Sequence, residues 1–154
     1  MPISVSFDIK GVDLINKRLN KIEKSCKDLT NAWKKIGKDF RETEEKVFTG
    51  QGSYGSRGRW VKLSPKYEAY KNRTHPGKPI LQKTGDLKRS LTQKGGNNIE
   101  IIEPMKITLG TNDVKLKYHQ KGTKKMPARP PITITKYQTD KWVKIIRDEI
   151  LRGF

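Results

Sequence analysis

Near the start of the chain, Ile3, Val5, Phe7 and Ile9 alternate with polar residues. That is the period of a half-buried strand, and Gly11 ends it. A different period follows. Val12, Ile15, Leu19, Ile22, Cys26, Leu29, Trp33, Ile36 and Phe40 are separated alternately by three and four residues. This spacing draws an apolar stripe down one helix face, with Lys, Glu and Asp on the rest. It predicts a single helix over about residues 12–46, roughly 50 Å long at ~1.5 Å per residue, with Gly37 as the expected point of a bend or interruption. So long a helix overreaches a small domain. Either it is a core helix packed on a sheet, or part of its stripe packs against a neighbouring subunit.

Turn chemistry punctuates the next third. "TGQGSYGSRGRW" reads as a mobile, basic, glycine-rich loop over about residues 49–59. Ser64-Pro65 opens a short helix, with proline in its first turn. After the turn "THPGKP" comes "ILQKTGDLKRSL", in which Thr84 is the expected N-cap of another short helix. Leu81, Leu87 and Leu91 would face the core, and Lys83, Lys88 and Arg89 the solvent. Alternation then returns. Ile99 and Ile101 pair with Met105, Ile107 and Leu109 across a hairpin at Glu103-Pro104, and Val114, Leu116 and Tyr118 suggest a third strand. "HQKGTKKMPARPP" is a basic, proline-bearing loop, and Ile132 and Ile134 form a brief extended piece. Trp142, Ile145, Ile146 and Ile150 lie on one face of a C-terminal helix over residues 136–151. The expected fold is α+β, a single domain with a long N-terminal helix and a C-terminal helix packed on a mostly antiparallel sheet.

Composition changes this picture in one respect. Only 32% of the 154 residues are hydrophobic, so the core is small for the length, and some of the chain should be extended or buried against partners. The formal net charge is +18. It is uneven, with 11 Lys+Arg against 8 Asp+Glu in residues 1–49 and 23 against 8 in the remainder. Such a surface is drawn to nucleic acid or to acidic protein. The one cysteine, Cys26, excludes an intramolecular disulfide and a multi-cysteine zinc site. No signal-like or membrane-spanning apolar run is present, which leads to the expectation of a soluble protein in a reducing cytoplasm, or assembled there.

Catalytic chemistry finds little support. His75 lies in a Pro-Gly turn and His119 at the end of an expected strand, and neither has a second ligand at metal-binding spacing. No serine sits in a nucleophile elbow, and the glycine-rich loop lacks the Gly-Lys-Ser/Thr ending of a nucleotide-binding loop. His119 with Arg129 can be sketched as a nuclease pair, against the plainer reading of a polar strand end and a structural arginine. No catalytic residue, cofactor or metal is expected.

Three segments, in order, carry a resemblance. "GRWVKLSPKYEAYK" is similar to a Gly-x-Trp-x-x-Leu-Ser-Pro segment, "ILQKTGDLKRSL" to Ile-Leu-x-x-Thr-Gly-x-Leu-x-x-Ser, and "ITLGTNDVKLKYHQKGTKKMPARP" to Gly-Thr, then His-Gln-x-Gly, then Pro-Ala-Arg-Pro. Together they resemble the phage virion morphogenesis family, late proteins related to phage Mu protein G that include tail-completion proteins of contractile-tailed phages. The similarity is good over about residues 58–131 and only in outline over the terminal helices. "KLKY" stands before His119 where the family usually has Tyr-Ala and a small residue, and "PARPP" lacks the usual following aromatic.

The resemblance implies a structural component of the virion, at the head–tail junction or the upper end of the tail. It would assemble as a ring, most simply a hexamer, around the DNA channel. Its partners would be neighbouring neck or connector proteins and the tail tube or terminator, and the positive second half could meet packaged DNA. No membrane is involved. Trp60, Leu63, Thr84, Gly85, Leu87, Ser90, His119, Gln120, Gly122, Pro127, Arg129 and Pro130 are then structural motif residues. Arg57, Arg59, Lys62, Lys88, Arg89, Lys124 and Lys125 are candidate contacts to DNA or to a partner. A basic nucleic-acid-binding protein without catalysis is the alternative, supported by charge alone. A small hydrolase or nuclease toxin that uses His119 is a third reading.

Overall fold

The computed structural model describes residues 11–55 and 58–152. The strand expected over residues 3–9 and the candidate contact Arg57 lie outside these residues. The N-terminal stripe folds as two helices, α1 (Val12–Lys27) and α2 (Thr30–Thr49). The predicted single helix is therefore wrong, and the break falls at Asp28-Leu29 rather than Gly37. Asp28 is extended, and its Oδ1 accepts from the Thr30 N–H at 2.9 Å. An aspartate in this geometry satisfies the start of a new helix better than the middle of an old one. The Pro104 carbonyl, at the tip of the hairpin, accepts from Leu29 N–H at 2.8 Å and from Trp33 Nε1 at 3.2 Å, and so holds the break.

Gly37 stays helical and serves close packing. A β-carbon there would lie 3.3 Å from the Glu100 carboxyl carbon of the hairpin. Glu100, only 8% exposed at its side chain, is ion-paired to Arg41 and to Lys94.

The hairpin is β1 (Asn98–Glu103) with β2 (Lys106–Thr111), antiparallel, registered from Asn98 opposite Thr111 to Glu103 opposite Lys106. Among the described residues it forms a two-stranded sheet. The expected third strand is instead the helix α5 (Lys115–Lys121). Asp113 decides this. Its Oδ1 accepts from Lys115 N–H at 2.9 Å, and its carbonyl from Leu116 N–H at 2.9 Å, which nucleates a turn in place of extended chain. Helices α3 (Pro65–Thr74), α4 (Asp86–Thr92) and α6 (Lys136–Ile150) form where the sequence places them. Thr135 and Gln138 make a reciprocal capping box at the start of α6. Ile132 and Ile134 lie in irregular chain outside any strand. The class is α+β.

The core gathers Phe40, Val47 and Phe48 of α2, Trp60, and Leu87 and Leu91 of α4. Polar ties fix α6 to α2. Asp39 accepts from Trp142 Nε1 at 2.7 Å and pairs with Lys141, while Glu149 receives Lys35 at 3.0 Å and Asn31 at 3.3 Å. Glu44 continues the apolar stripe of α2 and is 1% exposed. Burial pushes its carboxyl up to about 8.

Candidate functional site

The first and third motif segments, far apart in the chain, are joined by a clasp of buried donors. Arg129, 4% exposed, donates from Nε to the Val61 carbonyl at 2.6 Å and from Nη2 to the Lys62 carbonyl at 2.9 Å. Trp60 Nε1 reciprocates with a 3.0 Å bond to the Pro130 carbonyl, and its ring meets Phe48 edge-on at 5.5 Å between centroids. The Arg129 N–H donates to the His119 carbonyl at 2.8 Å. Gln120 closes both sides of Ile132, with its amide donating to the carbonyl at 2.6 Å and its oxygen accepting from the N–H at 3.3 Å.

Gly122 makes the return possible. Its φ of 75° and ψ of 179° belong to a region essentially reserved for glycine, and a β-carbon would lie 2.7 Å from the Ala128 nitrogen. The glycine-rich loop closes similarly. Trp60 N–H donates to the Gln51 carbonyl at 2.8 Å, and a β-carbon on Gly52 would come within 2.5 Å of the Trp60 ring.

The middle motif differs in detail from its sequence reading. The N-cap of α4 is Gly85, in the left-handed region at φ 79°, and not Thr84. The Thr84 hydroxyl instead donates to Asp86 Oδ2 at 2.5 Å and, as the largest cause, holds that carboxyl below its usual range. Asp86 also pairs with Arg89. Ser90 is buried, and its hydroxyl donates to the Leu87 carbonyl at 2.9 Å.

Between the segments lies a cleft of about 580 Å³. Leu63 and Tyr67 form one wall, Leu81, Thr84 and Leu87 the second, and His119 with Met126 and Pro127 the third. Five cationic residues also line it, Lys71, Lys83, Lys115, Lys125 and Arg129, with no carboxylate among its lining residues. Lys71 is 3% exposed and donates to the carbonyls of Lys78 and Pro79, the latter at 2.6 Å, so its buried charge is held by backbone dipoles. Desolvation lowers its pKa. Lys115 is shared between Asp86 at 3.7 Å and Asp113 at 3.6 Å. Burial, and then the Arg129 charge, push His119 below its ordinary value, and its Nδ1 is buried with no hydrogen-bond partner.

The structure thus brings Leu63, Thr84, Leu87, His119, Pro127 and Arg129 to one cleft, with Trp60, Gln120, Gly122 and Pro130 in the clasp behind it. The candidate contacts fall into different settings. Lys88 is paired to Glu45 of α2 at 2.5 Å, and Arg89 to Asp86. Arg59, Lys62, Lys124 and Lys125 are exposed on two loops that Arg129 holds together. Of the sketched nuclease pair, the Arg129 guanidinium is held by the Val61 and Lys62 carbonyls, and His119 Nδ1 has no hydrogen-bond partner. Among the described residues no grouping of three or more His, Cys, Asp and Glu could hold a metal, and no helix is long and apolar enough to cross a membrane. Sequence reasoning missed Lys71, Lys83 and Lys115 as cleft residues, since nothing in their spacing distinguishes them from solvated lysines.

A second surface lies on α1. Its stripe is buried gradually toward the C-terminal end. Ile15 and Leu19 are 55% and 56% exposed, Ile22 and Cys26 half-buried, and Leu29 buried. Leu14 flanks the exposed end at 55%. Compared with known proteins, residues 11–150 match the phage virion morphogenesis family. No curated protein and no solved structure matches the chain.

Proposed function

The chain belongs to the phage virion morphogenesis family, and on that premise we propose that it is a structural protein of the virion neck, completing the tail or joining it to the head as a ring around the DNA channel. The observation that carries the assembly is the free apolar face of α1. Leu14, Ile15 and Leu19 stand more than half exposed on a helix whose later apolar residues, Ile22 and Cys26, are half-buried. A stripe of this kind, in a chain only 32% hydrophobic, finds its burial against another subunit. Head-to-tail contacts of that type close into a ring when the rotation between copies allows it, and a sixfold ring matches the symmetry of long phage tails. The exposed basic loops bearing Arg59, Lys62, Lys124 and Lys125 would face packaged DNA or the acidic rim of an adjoining ring.

The test is mass photometry and negative-stain microscopy of the purified protein, and microscopy of virions. A ring in solution or in the particle is expected, abolished by the joint substitution Ile15→Glu and Leu19→Glu with the circular dichroism of the monomer unchanged. A monomer in solution together with particles lacking any ring of this protein would overturn the reading.

A further inference from the structure

Resting on the assembly reading, we propose that the cleft between the three motif segments is a docking site for an acidic, apolar-anchored peptide segment of a neighbouring virion protein. The lining has two components. Leu63, Leu81, Leu87 and Met126 supply apolar surface, and Leu87 is buried at the base. Around them stand cationic groups without carboxylates of the same lining. Two of these, Lys71 and Arg129, are almost fully buried and bonded only to backbone carbonyls. A charge held by carbonyl dipoles in a low-dielectric wall attracts a carboxylate more strongly than a hydrated surface lysine does. Lys83 and Lys125 are more accessible. Lys83 lies 5.0 Å from the centre of the Tyr70 ring, and Lys125 is exposed at the mouth. The volume falls in the range of about 300–1,000 Å³ typical of clefts and cavities that bind small ligands.

Three candidate occupants can be compared on this lining. Duplex DNA offers phosphates on a convex rod and no apolar group that reaches the cleft base, so it suits the open loops better. A second copy of this chain carries the same excess of +18, which opposes its approach to a cationic cleft. A peptide with glutamate or aspartate beside leucine or phenylalanine meets both components at once, which is the usual construction of a peptide-anchoring pocket.

The experiment uses fluorescence anisotropy with the full chain and a short fluorescein-labelled peptide, in which glutamates flank a leucine and a phenylalanine. Matched peptides carry glutamine for glutamate, or alanine for the two apolar residues. Saturable binding is expected, at least tenfold tighter than to either matched peptide. Lys83→Glu with Lys125→Glu should weaken it at least tenfold without changing the melting temperature, whereas Lys24→Glu with Lys27→Glu on α1 should not. Equal affinity for the glutamine peptide, insensitivity to the Lys83/Lys125 reversal, or tighter binding of a labelled DNA duplex with the same sensitivity to that reversal would each overturn the proposal. The Ile15→Glu, Leu19→Glu variant should retain full peptide binding. Failure to dock with ring formation intact therefore refutes the cleft assignment alone, and failure to ring with docking intact refutes the assembly reading alone.

Discussion

Replacing Arg129 by methionine removes the pin of the clasp while keeping a side chain of similar length. Two charge-assisted hydrogen bonds, to the carbonyls of Val61 and Lys62, are lost. At about 1.5–3 kcal/mol each they set a gross loss of about 3–6 kcal/mol. Two effects offset part of it. Methionine carries no charge to desolvate at a site only 4% exposed, and Val61 and Lys62 are exposed residues whose carbonyls can return to water. The expected net loss is therefore about 2–3 kcal/mol. Arg129→Lys should fare little better, because one ammonium cannot reproduce the fork that spans two successive carbonyls. Urea unfolding followed by circular dichroism gives the magnitude. Tryptophan emission supplies a local check, since Trp60, 5% exposed and bonded to Pro130, should shift toward the red as its segment loosens. A loss under about 0.5 kcal/mol with unchanged emission would refute the clasp, placing Arg129 with ordinary surface residues.

Further outcomes follow from single positions. Gly122→Ala should cost more than about 3 kcal/mol, from the glycine-only backbone and the clash with the Ala128 nitrogen, and Gly85→Val about 1–3 kcal/mol; wild-type melting temperatures would contradict both. Glu44 has a raised pKa, so the folded chain binds its proton where the unfolded chain does not. Its contribution to stability should fall by roughly 1.4 kcal/mol per pH unit from 4.5 up to about 8, and Glu44→Gln, in urea titrations at several pH values, should remove that slope and be the more stable at pH 8. His119 has a lowered pKa and is neutral in the fold, so its contribution should be full above 6.5 and decline as pH falls from there through the folded value; an NMR titration should place its midpoint below 6.5.

The helix face of residues 29–40 was legible in the 3–4 spacing because Leu29, Ile36 and Phe40 are each buried. The break at Asp28 was not, since the spacing runs through it unbroken and the cause is a tertiary contact from Pro104. Val114, Leu116 and Tyr118 alternate as a strand does, yet Asp113 turns the chain into a helix there, and local hydrogen bonding outweighs a short alternation. Glu44 left a readable mark that the sequence reading passed over, a carboxylate on the continuation of the stripe between Phe40 and Val47. Leu63, Thr84, Leu87, His119, Pro127 and Arg129 line one cleft, a meeting that was not legible in the sequence. Arg129 reaches across 67 residues to Lys62, and no periodicity encodes that distance.

The central claim is that this chain works by assembly through the exposed face of α1. Native mass spectrometry of the wild-type protein and of the Ile15→Glu, Leu19→Glu variant, alongside microscopy of particles complemented with each, tests it most directly. The account predicts a closed ring, a hexamer, for the wild type in solution or on the particle. It predicts a folded monomer for the variant, with heads and tails left unjoined or tails left incomplete. A variant that rings and completes virions as well as the wild type would contradict it.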